Sequence, residues 1–295
     1  MIITGKKFSK PEMSRVINGD KILHETAEKP ELFRLDHLLV ERFSDYNRSS
    51  LQTFIKSGFV TVDGEIAKKP NQKFEKSARI TLNLPEKKAE KPTLKPLFED
   101  ENVIVLEKPA GLLSMAKGEY CPESTLEDFG LLVHRLDRDT SGVVILAKNP
   151  STQKMLRKQF QDRKTHKIYY AIVEGTPKLP EANIDLPLAR NLKHPTTFQV
   201  DPSGKASKTY YKVLKSNGKF SLLELKPESG RTHQLRVHLK YLGTPILGDP
   251  VYGSGKKAPR LFLHAGSLEI TIPGTPNNQR KIFVSKLPKE FDDVL

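Results

Sequence analysis

The sequence predicts an α+β protein in two parts, a small α/β domain followed by a larger domain of strands and helices. Three features carry that prediction. Short β-branched and aliphatic runs recur along the chain with turn residues between them, and helical spacing of apolar residues appears in only a few places. A charged, proline-rich stretch over 85–97 interrupts both patterns. The length of 295 residues suffices for one large core and a lesser one.

Residues 1–30 mix Lys, Ser, Glu and Pro without a sustained period and read as a flexible arm. From Glu31 onward, Leu32, Leu35, Leu38, Leu39 and Phe43 share helical spacing, which predicts a helix over 31–43. Asp45, Asn47, Ser49 and Ser50 supply a turn and an N-cap, and a second helix over 51–57 stops at Gly58. Phe59 to Ile66 reads as strand, Asp63-Gly64 turn and strand, and 79–84 as one strand more. The small domain therefore covers 31–84, and 85–97 is the linker.

The larger domain, 98–295, opens with a strand from Phe98 to Leu106 that runs into a Lys108-Pro109-Ala110-Gly111 loop. Leu131-Leu132-Val133 and Val143 to Ala147 are two runs suited to burial. Between them lies the polar stretch His134-Arg135-Leu136-Asp137-Arg138-Asp139-Thr140-Ser141-Gly142. If 135–137 is extended, Arg135 and Asp137 share one face and Leu136 anchors the other. A helix over 153–161 with Met155, Leu156 and Phe160 inward precedes a strand over 166–175. Paired strands over 209–214 and 220–225 flank Ser216-Asn217-Gly218. A helix begins near Thr232, with Leu235, Val237 and Leu239 inward and Arg236 on the same side as Thr232. Two runs, 260–265 and 268–272, close the sheet.

Composition narrows the partner. No run of about 18 apolar residues is present to span a bilayer, and the first residues lack a secretory signal. The single cysteine, Cys121, excludes an internal disulfide and fits a reducing cytoplasm. The net charge of +14 favours a polyanion, and residues 151–260, with 21 Lys and Arg against 8 Asp and Glu, supply nearly all of it.

The stretch from His134 to Gly142, with an aliphatic run and Ala147-Lys148 behind it, resembles the signature of the RluA-type pseudouridine synthases, which isomerise uridine within RNA. Four further segments are similar to motifs of that family: Lys108-Pro109-Ala110-Gly111, Lys167-Ile168-Tyr169, Gly230 to His238, and Gly248-Asp249-Pro250-Val251-Tyr252-Gly253. The resemblance implies the pseudouridine synthase fold, a mixed, mainly antiparallel β-sheet with helices. It implies Asp137 as the catalytic carboxylate, Arg236 as its ion-pair partner, and Tyr169 lying against the base and able to handle a proton late in the reaction. Arg135 would enter the RNA stack or, equally, contact a phosphate, and Arg231, His233 and Lys108 would contact RNA or base. The segment 114–130 is shorter than is usual in the family.

Arg34-Leu35-Asp36, Arg48-Ser49-Ser50-Leu51-Gln52 and the run from Gly58 to Gly64 resemble the RNA-binding domain first seen in ribosomal protein S-four. That likeness implies phosphate contacts from Arg48, Lys56, Lys68 and Lys69. A leading module of this kind points to large-subunit ribosomal RNA ahead of transfer RNA. No cofactor or metal is expected, and the protein is expected to be a cytoplasmic monomer without membrane contact.

The chemistry needs little more than a poised carboxylate, which either adds to the ribose or takes a proton from it so that a glycal forms. Arg236 would keep such a carboxylate charged, and the target nucleotide must be flipped out of its stack. Three rivals are weaker. A glycoside hydrolase pair made of Asp137 and Asp139 would sit on one short loop, poor geometry for flanking a bond. His233 and His238 lack the spacing and glutamate of a zinc helix, which disfavours a metal site drawn from His134, His233, His238 and His264. A non-catalytic RNA-binding or ribosome-assembly protein is the third.

Overall fold

The computed structural model describes residues 2–4, 31–84, 90–116, 123–274 and 278–295. Most of the predicted arm, residues 85–89 of the predicted linker and Cys121 lie outside them. The chain divides into two compact units, one of residues up to Glu90 together with Ala116 and Glu123, the other of Lys91 to Met115 and Ser124 to Leu295.

In the first unit, Ile2–Thr4 (β1) is a strand, where the sequence predicts only arm. Leu32–Arg34 (β2) is also a strand, so the predicted first helix begins late: it is Leu35–Arg42 (α1). The reason is pairing with Lys73–Glu75, which sets Phe33 opposite Phe74 against the small core. The second helix starts three residues before its expected position, as Arg48–Lys56 (α2), because Asn47 supplies the cap by accepting the Ser50 amide at 3.0 Å. Gly58 follows it at φ +78° as expected.

Val60–Val62 (β3) and Glu65–Ile66 (β4) form the predicted hairpin. Asp63 at φ 52° and Gly64 at φ 93° are both left-handed, the geometry that a tight two-residue hairpin turn requires. Lys73–Glu75 (β5) pairs with β2, and Ile80–Asn83 (β6) lies between β1 and β3. Leu35, Leu39, Leu51, Ile55, Val60 and Leu82 are fully buried in this unit's core.

The second unit is a ten-stranded, mainly antiparallel sheet with helices. Its strands begin with Pro96–Glu99 (β7), which starts two residues inside the predicted linker, and Val103–Lys108 (β8). The single strand expected here is a hairpin, because the Asp100 carboxylate accepts the amides of Asn102 and Val103 at 2.8 and 2.7 Å and turns the chain. Leu131–Leu132 (β9) and Ser141–Ala147 (β10) pair antiparallel around the polar loop. Helix Pro150–Gln161 (α3) starts ahead of prediction because Asn149 caps it and Pro150 fits its first position.

His166–Glu174 (β11), Glu181–Asp185 (β12), the small hairpin Leu188–Arg190 (β13) with Phe198–Val200 (β14), Lys208–Ser216 (β15) and Phe220–Pro227 (β16) follow. Gln234–Tyr241 (α4) is buried from Gln234 to Leu239. The two closing strands prove to be one, Leu263–Ile272 (β17), and Gln279–Val284 (β18) pairs with its far half. The sheet order is β12-β15-β16-β11-β17-β10-β8-β7, with β18 on β17 and β9 on β10.

The near half of β17 positions the polar loop. Ala265 pairs with Gly142 of β10 on one side, in parallel, and with Tyr169 of β11 on the other. Gly142 has φ +116°, and a Cβ there would lie 2.2 Å from the Ala265 carbonyl oxygen. Only glycine lets the loop end this close to β17. Gly142→Ala is therefore expected to destabilise the protein by about 3 kcal/mol, read as a lower urea midpoint at unchanged slope.

Candidate active site

Asp137 sits at a tight turn, its carbonyl accepting the Thr140 amide at 3.1 Å. The loop before it is anchored as predicted by Leu136, which is 4% exposed. Ser114 holds that anchor from outside: its hydroxyl donates to the Leu136 carbonyl at 2.6 Å and accepts the Leu136 amide at 3.1 Å. His134 is fixed within the fold, its Nε2 accepting the Ile145 amide at 3.2 Å and its ring stacked on Phe160 at 4.5 Å. Burial, with the nearby Lys167 charge, pushes its pKa down to about 3, so this imidazole is neutral.

Lys108 requires a correction. It is fully buried, and its ammonium donates to the carbonyls of Pro109, Leu112 and Arg138 at 2.9, 2.7 and 2.7 Å. All three N–H groups are spent inside the protein, so it offers nothing to RNA. Instead it ties its own Lys-Pro-Ala-Gly loop to the residue after Asp137, a link doubled by the Gly111 amide on the Arg138 carbonyl at 2.9 Å. Burial pushes this ammonium down to about 7, against the opposing pull of Asp139 and Asp137.

Arg236 comes from α4. One terminal nitrogen faces the Asp137 carboxylate at 3.3 Å, while Nε and the other grip both oxygens of Asp249 at 2.7 Å each. Asp249 has no exposed side-chain surface, Arg236 7% and Asp137 20%, so the ion chain runs from the interior to the edge of solvent. Asp249 also accepts the amides of Val251 and Tyr252, both at 2.9 Å. The Gly248-to-Gly253 motif signals this residue, yet the sequence gives no hint that it holds the arginine; a buried guanidinium with one half-exposed partner needs a second.

The helix itself starts at Gln234, so Thr232 lies outside it and exposed, not on the face of Arg236. His233, at φ 56°, breaks the first turn. Its Nδ1 is 2.8 Å from the Tyr252 hydroxyl, which also accepts the Phe198 amide, and its Nε2 is 3.9 Å from Asp137. Burial outweighs the Asp137 charge and lowers the His233 pKa.

A cleft open to solvent lies here, with polar side chains along its wall. Asp137, Tyr169, Arg236, Arg135, Arg231 and His233 all line it. Tyr169 keeps its hydroxyl proton, because burial and the Asp137 charge both raise its pKa; it is a wall and no base at neutral pH. Arg135 is exposed, 3.9 Å from the Met115 sulfur, and Arg231 is exposed opposite. Lys167, which the sequence marks only as part of a motif, lines the cleft too.

In the first unit, Lys56, Lys68 and Lys69 are exposed as an RNA-facing role requires. Arg48 is exposed as well, and it also donates to the fully buried Asp36 at 2.8 Å and meets the His37 ring at 3.0 Å. Arg34 and Gln52 bind the same carboxylate, and the Arg48 side chain stays about half exposed beside them. Among the described residues no group of three His, Cys, Asp or Glu is placed to hold a metal ion, and no helix is long and apolar enough to cross a membrane. The buried His238 and His264 bind Thr209 and Ser141 respectively.

Comparison with known proteins gives the family. A family described as RNA pseudouridylate synthase matches residues 102–241, and the S4 domain matches residues 33–80. The ribosomal large subunit pseudouridine synthase D of Borreliella burgdorferi is 36% identical over 92% of this chain and 91% of its own length. The protein of the same description from Nitrosomonas europaea is 34% identical over 89% and 83%. Among solved structures, human RNA pseudouridylate synthase domain containing 1 superposes with a TM-score of 0.55 at 27% identity, covering 64% of this chain and 82% of that one. On its motifs, its two matched domains and relatives that span nearly its whole length, the chain belongs to the RluA-type RNA pseudouridine synthases with an N-terminal S4 domain.

Proposed function

We propose that this enzyme isomerises uridine to pseudouridine in large-subunit ribosomal RNA, with Asp137 reacting at the ribose, Arg236 as its counter-ion and Tyr169 against the flipped base. The observation that carries the reading is the ion chain Asp137–Arg236–Asp249 at the wall of the cleft. Arg236 cannot turn away from Asp137, because Asp249 holds it from behind by two short bonds. The carboxylate is thereby presented at an open cleft with a fixed positive neighbour.

Arg135 and Arg231 at the rim, and Lys56, Lys68 and Lys69 on the first unit, serve phosphate contacts and the gap left by the flipped nucleotide. The Borreliella and Nitrosomonas relatives, named as large-subunit pseudouridine synthases, favour large-subunit RNA as the substrate class. The test is tritium release from uridine labelled at carbon 5. Purified protein is expected to release tritium from large-subunit ribosomal RNA without freeing uracil, and not from transfer RNA. Release from transfer RNA alone would reassign the substrate, and free uracil would make the enzyme a hydrolase.

A further inference from the structure

The cleft contains a cation that the ion chain does not use. Arg236 answers two carboxylates with one guanidinium, so it has no charge to spare for a substrate anion. Lys167 differs. It lies on β11 two residues before Tyr169, hence on the same side of the strand, and its side chain lines the same cleft. Among the described residues its ammonium has one hydrogen bond, a long one of 3.4 Å to the Ser229 carbonyl, and no carboxylate partner. Burial, with repulsion from Arg163, pushes it down to about 8, which leaves it protonated at neutral pH. A half-buried ammonium with open N–H groups calls for an acceptor from outside the protein.

We propose that Lys167 holds the detached uracil as an anion, its ammonium donating to a carbonyl oxygen of the base while that base is free of ribose. The proposal rests on the isomerase reading above. Whether Asp137 adds to C1′ or takes the C2′ proton, the C1′–N1 bond breaks with both electrons left on N1. The negative charge then spreads onto O2 and O4. When the C5–C1′ bond forms, the carboxylate leaves C1′ or the proton returns to C2′. Carbon 5 then gives up its proton and N1 takes one, so the product is an isomer of the substrate.

The turn that the base must make explains why a lysine suits this place. Rotation by half a turn about the axis through N3 and C6 exchanges N1 with C5, and it also exchanges O2 with O4. An ammonium that holds O2 before the turn meets O4 after it. Lysine is a compact charge with three rotatable donors and can follow this motion, whereas a planar guanidinium fork would favour one orientation. A cation aimed at charge that develops within a restricted cleft also contributes more than it would in water.

The experiment compares Lys167→Met with wild type under single-turnover conditions, on one RNA carrying uridine or 5-fluorouridine at the target. Loss of the parent nucleoside is read after digestion. Fluorine withdraws electrons and stabilises the departing anion without help from the protein. The variant is expected to slow uridine by about 100-fold and 5-fluorouridine by less than about tenfold. The ratio of the two rates within one sample cancels any loss of folded enzyme. Equal slowing of both substrates, or no slowing of uridine, would overturn the role of Lys167. A wild-type protein inert on both RNAs would remove the isomerase reading, and this proposal with it.

Discussion

Asp137→Asn is expected to lower the isomerisation rate by about 10,000-fold or more while RNA affinity changes by less than about threefold. The size of the first effect follows from what the residue is asked to do. An amide neither adds to C1′ nor removes a ribose proton at neutral pH, and the other groups around the cleft do not replace it. Tyr169 stays protonated, and His134 is neutral and fixed to the Ile145 amide. Asp249 is fully buried behind Arg236. The small second effect follows from placement. In the proposed reading phosphate attraction comes from the exposed Arg135, Arg231 and the lysines of the first unit, none of which the substitution touches. Asparagine keeps the shape and still accepts from Arg236, so Tm should move little. Tritium release and a filter-binding titration on the same RNA check the two halves. A parallel loss of binding would recast the loop as a docking surface.

How much of this was legible in the chain depended on the range of the interaction. Local chemistry was readable: Gly58 beyond a helix, Asp63-Gly64 in a hairpin and Leu136 as an anchor all depend on a few adjacent residues. Boundaries set by distant partners were not. Leu32–Arg34 has helical spacing in sequence but pairs with Lys73–Glu75, and the two closing runs merge into β17 because β11 and β18 flank them. The motifs named the cleft residues and implied the contact of Arg236 with Asp137, but not which basic side chains the fold would bury. Lys108 and Arg48 look like ligands of RNA in sequence because both are basic and sit in motifs. Folding spends Lys108 on three carbonyls, whereas Arg48 pairs with Asp36 and stays half exposed. Asp249 shows the reverse, a motif residue whose task appears only when α4 brings Arg236 against it.

Asp249→Ala is expected to have the largest effect on stability, a loss of about 3–5 kcal/mol by urea unfolding at neutral pH. Deleting this carboxylate strands a guanidinium that is 7% exposed and leaves the Val251 and Tyr252 amides without their acceptor. Arg236 would then have only Asp137 to turn to, which changes the geometry at the reacting group, so activity measured well below Tm should fall by about 100-fold as well. Acid separates this pair from ordinary packing. Burial alone would raise the Asp249 pKa, but the Arg236 hydrogen bonds and charge outweigh it and the net shift is downward. A carboxyl whose folded pKa lies below its unfolded value, about 3.9, contributes stability that is fully present above that value. It loses that contribution as pH falls through the folded pKa. The gap in Tm between wild type and variant should accordingly be constant above about pH 5 and narrow below about pH 4. Asp36, shifted in the same direction by Arg34, Arg48 and Gln52 against its burial, is present in both proteins and cancels from the difference. A gap that stayed constant to pH 3 would mean that the lost stability came from a cavity, and that Asp249 does not hold Arg236 by its charge.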